Sequence, residues 1–314
     1  MRNFLNTLPL PISGLMLGLA ALGNLLAPYS GGLRYFLGSL SAVIFISLVL
    51  KTILFPKSLK EGLENPVVAS ILPTFAMGGM LLSTYLAPYF PNSAFGLWTL
   101  SLVLNALLII LFTKIYVVSF SIRKVFSSYF VMYVGIVVAS VTAPVYGLEA
   151  LGQMIFWFGL AAYLLWLPIV CYRVFIIKEI PEPAKPVSII FAAPASLLLA
   201  GYLRSFPEKS FGMVLFLGII AGMMTLYALT QMPKMLRLPF YPSYSAFTFP
   251  FVISAIAFSG MTGYLGSRGI SFGGLEFIRG FQIAWAATMV LYVVIRFGML
   301  FQKQVVLQKN ISAS

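Results

Sequence analysis

The sequence predicts an all-α integral membrane protein with ten transmembrane helices in one domain, residues 1–314. Of its residues 61% are hydrophobic and only 9% are charged, with a mean hydropathy of +1.00, and a soluble domain could not carry so much apolar surface. The apolar stretches are about 20 residues long, which suits a helix crossing a bilayer, whereas the strands of a membrane barrel are about ten. Ten spans with short connections account for the chain.

The hydropathy pattern places the ten spans at 8–28, 33–55, 67–86, 93–117, 125–143, 150–174, 187–203, 211–229, 242–265 and 275–301. The connections after the first, third, fifth and seventh spans are very short, as at 89–92 and 145–149. Helices joined by short loops pack side by side and antiparallel. We therefore expect five helical hairpins.

The distribution of Lys and Arg predicts the orientation in the membrane. Of 20 cationic residues, five fall on one side of the predicted spans and the rest on the other. Cationic residues beside spans are retained in the cytoplasm, so we expect a plasma (inner) membrane protein with both termini cytoplasmic. The net charge of +13 then reflects topology and affinity for anionic membrane lipids, not nucleic-acid binding. The minority five are Arg34, Arg204, Lys209, Arg268 and Arg279.

The reactive residues are too few for an enzyme or a metal site. The chain has no His and no Asp, and Cys171 is its single cysteine. Hydrolytic triads, zinc motifs and paired catalytic carboxylates are therefore missing, and no cofactor is expected. Proton-coupled carriers bury titratable groups in the membrane, but the odd-numbered spans contain none in their interiors. Passage of a solute across the membrane remains.

The odd-numbered spans differ from their neighbours because prolines, glycines and hydroxyl residues recur in them. A proline inside a span frees a carbonyl, which is best tolerated where protein or a water-filled cavity satisfies it. Small residues also serve simple packing, and Gly14-x-x-x-Gly18 matches the helix-pair motif. The recurrence nevertheless favours a quasi-fivefold inner ring of helices around a central pore. The candidate pore-lining residues are Ser13, Gly14, Gly18, Pro73, Thr74, Gly78, Gly135, Ser140, Pro194, Ser196, Ser245 and Pro250.

Two stretches resemble the family of tellurite-resistance TehA proteins and plant slow-type anion channels: LPLPISGLMLGLAAL at 8–22 and AFTFPFVISAIA at 246–257. The resemblance implies a homotrimer with one pore in each protomer, lined by the odd helices. It also implies that a phenylalanine of the ninth helix blocks the pore, which corresponds to Phe249 or alternatively to Phe247. Gly14 corresponds to the glycine that approaches the pore axis. One departure is Met132, near which relatives often have a proline, so the fivefold regularity is expected to weaken there.

These features favour a passive channel for small monovalent inorganic anions such as chloride and nitrate. Arg34, Arg204, Lys209 and Arg268 are expected to attract anions to the outer mouth. The alternative is a carrier or exporter of tellurite, sulfite or a C4-dicarboxylate such as malate, which the resemblance also allows. The missing proton-coupling residues count against the carrier.

Overall fold

The protein is described by a computed structural model that covers residues 2–270 and 273–313, and every secondary-structure element in these ranges is helical. Within them, nine helices are long and apolar enough to cross a membrane, by length and composition. Ile12–Leu26, inside the predicted first span, is apolar but shorter. The α-helices are α1 (Arg2–Thr7), α2 (Ile12–Leu26), α3 (Gly31–Leu54), α4 (Pro56–Glu64), α5 (Pro66–Ile71), α6 (Pro73–Leu86), α7 (Pro91–Phe112), α8 (Tyr129–Val134), α9 (Val138–Thr142), α10 (Glu149–Cys171), α11 (Ala193–Ser205), α12 (Phe211–Met235), α13 (Phe249–Ser267) and α14 (Gly273–Ala313).

Shorter 3₁₀ and π segments continue or connect these helices. Two π-helices extend α7 and α10 at their C-terminal ends. The 3₁₀ segments lie in or before the fifth, seventh and ninth predicted spans. The π-helices are Thr113–Val117 and Tyr172–Ile177, and the 3₁₀ segments are Ile122–Lys124, Gly135–Val137, Ala143–Tyr146, Glu182–Ala192 and Pro242–Phe247.

Burial alternates along the chain. In the span Glu182–Ser205, 89% of an 18-residue window is buried inside the protein, against 28% in Phe211–Met235. The less buried helices α3, α7, α10, α12 and α14 expose Leu, Ile, Val and Phe side chains, which suit contact with lipid. We call α2, α5–α6, α8–α9, Glu182–Ser205 and Pro242–Ser267 the inner segments. Their small residues reflect close contact with protein on all sides.

Four of the five inner segments, all except α2, are interrupted, and three of the interruptions coincide with proline. Pro73, Pro194 and Pro250 each stand in the first turn of a new helix, where a missing N–H costs least. Thr248, with φ −96° and ψ −85°, interrupts the helical backbone conformation before α13. The inner segment α8–α9, which is the fifth predicted span, has Met132 instead of a proline. Its helix is interrupted by the 3₁₀ turn Gly135–Val137.

Helix ends differ most from the predicted spans in three places. The helix of the seventh predicted span begins at Glu182, not at 187, and starts as a 3₁₀ helix. Helix α12 continues to Met235, beyond 229, and α14 continues to Ala313, beyond 301. The predicted bounds follow hydropathy, which changes where the chain leaves the lipid, while the backbone hydrogen bonds continue through polar residues.

Consecutive helices pack against each other: α2 with α3, α6 with α7, α11 with α12, and α13 with α14. The inner helix α2 also contacts α6 and α13. The rings of Phe4 and Phe301 lie 5.2 Å apart, so the described parts of both chain termini meet at one end of the bundle. We call this the basal end and the opposite one the distal end.

Candidate functional site

Three cavities follow one another between the inner segments. The central cavity has a volume of about 40 Å³ and receives residues from all five inner segments. Among the described residues, none that lines it is ionisable. Its lining includes Gly14, Ile71, Thr74, Met77, Phe130, Val134, Gly135, Pro194, Leu197, Ser245, Phe249 and Pro250.

The other two cavities are larger and flank the central one. The distal cavity, of about 310 Å³, is lined by Asn24, Thr84, Thr142, Arg34 and Arg204 among apolar residues. The basal cavity, of about 750 Å³, is lined by residues just before α2, by residues of α4 and by the approach to α13. It includes Lys51, Glu61, Tyr241 and Ile71, the last of which also lines the central cavity.

Phe249 and Leu197 each line both the central and the distal cavity. They are 5% and 2% exposed, respectively. These two side chains therefore stand at the boundary between the cavities. The sequence singled out Phe249 through its AFTFP stretch, but nothing distinguished Leu197 from the many other leucines.

Two glycines of α2 seat the segment that carries Phe249. A Cβ atom at Gly14 would lie 3.0 Å from the Cβ of Ser245, and one at Gly18 would lie 2.6 Å from the Cβ of Thr248. The Thr248 hydroxyl, in turn, lies within hydrogen-bond distance of the Gly14 carbonyl at 3.0 Å and of the Ser245 carbonyl at 2.7 Å. Because no side chain separates α2 from the Thr248 turn, the position of Phe249 is fixed by α2.

Phe247 has a different environment from Phe249. Its side chain is fully buried and lies 4.6 Å from the ring of Tyr244, measured between centroids. It lines none of the three cavities. The one-residue break at Thr248 thus directs the two phenylalanines to different surroundings.

Tyr244 fastens this segment to α12, and its replacement by phenylalanine is expected to lower the free energy of unfolding by about 1–3 kcal/mol. Its buried hydroxyl lies 2.9 Å from the Met235 carbonyl and 2.8 Å from the Leu238 carbonyl, at the end of α12. Without the hydroxyl these carbonyls lose a donor. The measurement is thermal unfolding of the detergent-solubilised protein, with Tyr29→Phe, at an exposed position, as control. Equal unfolding midpoints for both variants would contradict this role of the Tyr244 hydroxyl.

Of the predicted pore-lining residues, Gly14, Thr74, Gly135, Pro194, Ser245 and Pro250 line the central cavity. The others lie away from the three cavities. Ser13 is hydrogen-bonded to Thr74 at 2.7 Å, whereas the hydroxyls of Ser140 and Ser196 donate to backbone carbonyls at 2.7 Å. A Cβ at Gly78 would collide with Met16, so this glycine serves helix packing. The residues that do not line the cavities are Ser13, Gly18, Pro73, Gly78, Ser140 and Ser196.

The four cations predicted at the outer mouth divide into two pairs. Arg34 and Arg204 line the distal cavity. Lys209 instead donates to the Pro207 carbonyl, and the Arg268 guanidinium lies over the Tyr264 ring at 5.1 Å. Only the first pair is therefore placed to act on a solute in the distal cavity.

The basal cavity differs from the distal cavity in the charged residues that line it. The Lys51 ammonium is 2% exposed and donates to the carbonyls of Leu5 at 3.2 Å and Asn6 at 2.7 Å. Tyr241 donates to Glu182 at 2.7 Å, and this hydrogen bond raises the pKa of the Tyr241 phenol, which stays neutral. Lys51 and Glu61 bring opposite charges to this lining.

The described residues contain no group of three His, Cys, Asp or Glu side chains placed to hold a metal ion. The family model described as SLAC1, voltage-dependent anion channel, matches residues 8–301. No curated protein sequence matches the chain. The family match spans nearly the whole chain and confirms the resemblance carried by 8–22 and 246–257. This helical membrane protein therefore belongs to the SLAC1 family of voltage-dependent anion channels.

Proposed function

We propose that the chain is a passive channel for small monovalent anions such as chloride and nitrate, with one pore in each protomer. The pore runs through the basal, central and distal cavities and is closed by Phe249. The observation that carries this proposal is that Phe249 and Leu197 line the cavities on both sides of one boundary. Removing the ring from this boundary opens the path.

The gate works by excluding water. An ion that enters a narrow uncharged constriction must lose hydration without gaining replacement ligands, so the constriction is a barrier. Phe249 and Leu197 offer only apolar atoms at this point. Rotation of the Phe249 ring joins the central and distal cavities and lets a partly hydrated ion pass.

Anion preference follows from the direction of the inner helices. Helices α6, α11 and α13 all begin beside the central cavity and run toward the distal end. A helix N-terminus carries partial positive charge, which favours anions. No carboxylate of the described chain lines the central cavity. Selectivity among anions is weak and favours those that lose water most easily.

We further propose the assembly and orientation that accompany this pore. Five helical hairpins surround the axis with quasi-fivefold symmetry, and three protomers form a homotrimer in the plasma (inner) membrane. The basal end faces the cytoplasm. The excess of Lys and Arg at the termini and even-to-odd connections supports this orientation, and the contact between Phe4 and Phe301 keeps both termini together.

The proposal is tested by the reversal potential of purified Phe249→Ala protein, in which the pore is expected to be open, in a planar bilayer with a KCl gradient. A reversal potential near the chloride equilibrium potential is expected, with nitrate carried at least as well as chloride and sulfate poorly. Protein-free bilayers are the control. A reversal potential near the potassium value, or strict one-for-one exchange with no current, contradicts the channel; the exchange result would favour a carrier of tellurite, sulfite or malate.

Leu197→Ala is expected to raise chloride flux in liposomes by a few fold, less than a change at Phe249, because it trims the opposite side of the same boundary. A tenfold rise in flux corresponds to a barrier lower by about 1.4 kcal/mol. We expect the Leu197 side chain to contribute less to this barrier than the Phe249 ring. Leu203→Ala, on the same helix and outside the cavity linings, is the control. Equal flux in the two variants would exclude Leu197 from the constriction.

A further inference from the structure

We infer that the distal cavity is a binding site for a small inorganic anion, with Arg204 as its ligand, and that this site makes conduction unequal in the two directions. The inference rests on the proposed channel function. The cavity volume of about 310 Å³ holds roughly ten waters at about 30 Å³ each. A halide with part of its hydration shell therefore fits above Phe249.

The charge lining this cavity is positive and uncompensated. Arg34 and Arg204 are the ionisable residues that line it, and no carboxylate does so in the described part of the chain. The ion pairs in the described part of the chain, Arg123 with Glu179 and Arg279 with Glu276, involve neither of the two arginines. Two guanidinium groups thus line one cavity, and no carboxylate of the described chain lines it with them.

The two arginines have different roles. Arg34 is held in place: it donates to the Asn24 side-chain oxygen at 3.2 Å and the Thr84 carbonyl at 3.3 Å, and lies 4.8 Å above the Tyr85 ring. Arg204 is exposed and makes no hydrogen bond or ion pair within the described chain. Arg204 can therefore bind an anion with its N–H groups without breaking an existing bond, while Arg34 adds a fixed charge.

Helix polarity makes this charge necessary. Because α2, α6 and α11 run from the basal to the distal end, their C-terminal carbonyls, which carry partial negative charge, lie around the distal cavity. Arg34 engages one such carbonyl, at Thr84. Arg204 stands in the last turn of α11 and offsets the remaining negative potential. Without it, an anion would meet carbonyl ends before reaching the boundary at Phe249.

Among the described residues that line the basal cavity, none is an equivalent free cation. The Lys51 ammonium is buried against the carbonyls of Leu5 and Asn6, and Glu61 brings a negative charge. Anions are therefore concentrated beside the gate on the distal side and not on the basal side. At low salt, anion flux from the distal side exceeds flux from the basal side under equal driving force.

Binding is tested first without reference to conduction, with bromide as the probe. Crystals of the full-length protein soaked in bromide are expected to show an anomalous peak beside Arg204. The peak should vanish in Arg204→Gln and persist in Arg268→Gln, whose arginine is distal but outside the cavity. A parent protein with no peak, or a peak that survives in Arg204→Gln, overturns the site.

The consequence for flux is tested in a Phe249→Ala background, in oriented bilayers. Arg204→Gln is expected to lower chloride current from the distal side about fivefold at 10 mM salt and less than twofold at 1 M, because the Debye length falls from about 30 to 3 Å. Current from the basal side should change little, and Lys209→Gln should behave like the background. An equal loss in both directions, or none, overturns the inference.

These experiments separate failure of the site from failure of the channel. If Phe249→Ala conducts no anions, the proposed function fails, and the bromide peak alone then decides whether Arg204 binds an anion. If Phe249→Ala conducts but Arg204→Gln matches Lys209→Gln in both directions at both salt concentrations, the channel stands and the Arg204 site is rejected.

Discussion

Replacing Phe249 by alanine is expected to raise chloride flux through liposome-reconstituted protein at least about tenfold. The benzyl group stands between the central and distal cavities, and its removal lets water join them. Tenfold corresponds to a barrier lower by about 1.4 kcal/mol, a small part of the cost of stripping an ion in an apolar constriction. The measurement is the initial rate of chloride efflux, normalised to the amount of inserted protein.

Two phenylalanine controls separate gating from loss of an aromatic ring. Phe247→Ala removes a buried ring that lines none of the cavities, and Phe158→Ala removes one that is 47% exposed. The first is expected to cost stability, by about 3–5 kcal/mol, without raising flux; the second should change neither quantity. Flux that rises equally in Phe249→Ala and Phe158→Ala would count against a gate at Phe249.

Substituting valine for Gly18 is expected to lower the free energy of unfolding by at least about 1–3 kcal/mol, the usual cost of overpacking. Even the first added carbon would lie 2.6 Å from the Thr248 side chain and 3.2 Å from the Phe249 backbone nitrogen. The backbone around Thr248 must therefore move, and Phe249 moves with it. Thermal unfolding in detergent measures the first effect, and chloride flux of the surviving protein measures the second.

Gly222→Ala provides a control of opposite sign. Gly222 lies inside α12, and no atom of the described residues outside its own helix turn lies within 4 Å of an added Cβ. Alanine favours helix over glycine by about 1 kcal/mol. We expect a small gain in stability and unchanged flux. A Gly18→Val protein as stable as Gly222→Ala would mean that α2 does not seat the Thr248 turn.

The helical membrane fold was predictable because it depends on composition and span length, which the sequence displays directly. The glycines at 14 and 18 were recognisable as sites of close approach, although their partner was not. The structure supplies that partner: Ser245 and Thr248, more than 200 positions later. Contacts between distant segments leave no local pattern, so the connection between α2 and the predicted gate came only from the fold.

Side-chain roles within the inner segments were harder to predict. Ser13, Ser140 and Ser196 share a hydroxyl and a position in odd spans with Ser245, yet only Ser245 lines the central cavity. The direction in which a side chain points depends on the number of residues per helical turn. This number differs from the α-helical value in the 3₁₀ stretches Glu182–Ala192 and Pro242–Phe247. A periodicity of 3.6 residues therefore assigns the wrong face after such a stretch.

The charged ends were partly predictable. Arg34 and Arg204 could be expected at the distal end from their positions, but their place in a cavity lining could not. Lys51 lies near the end of the predicted span 33–55, where an ammonium is expected to reach water. It is instead buried because α1 folds back beneath it and offers the carbonyls of Leu5 and Asn6.

The closure of the pore by Phe249 is tested by the access of a small anionic thiol reagent to the distal and central cavities from the distal side. Cys171→Ser gives a cysteine-free background, into which Val141→Cys places a thiol in the distal cavity and Ala246→Cys one in the central cavity. We expect position 141 to react whether residue 249 is phenylalanine or alanine, and position 246 to react only after Phe249→Ala. Equal reaction at position 246 with the phenylalanine in place would contradict a passage closed by that ring.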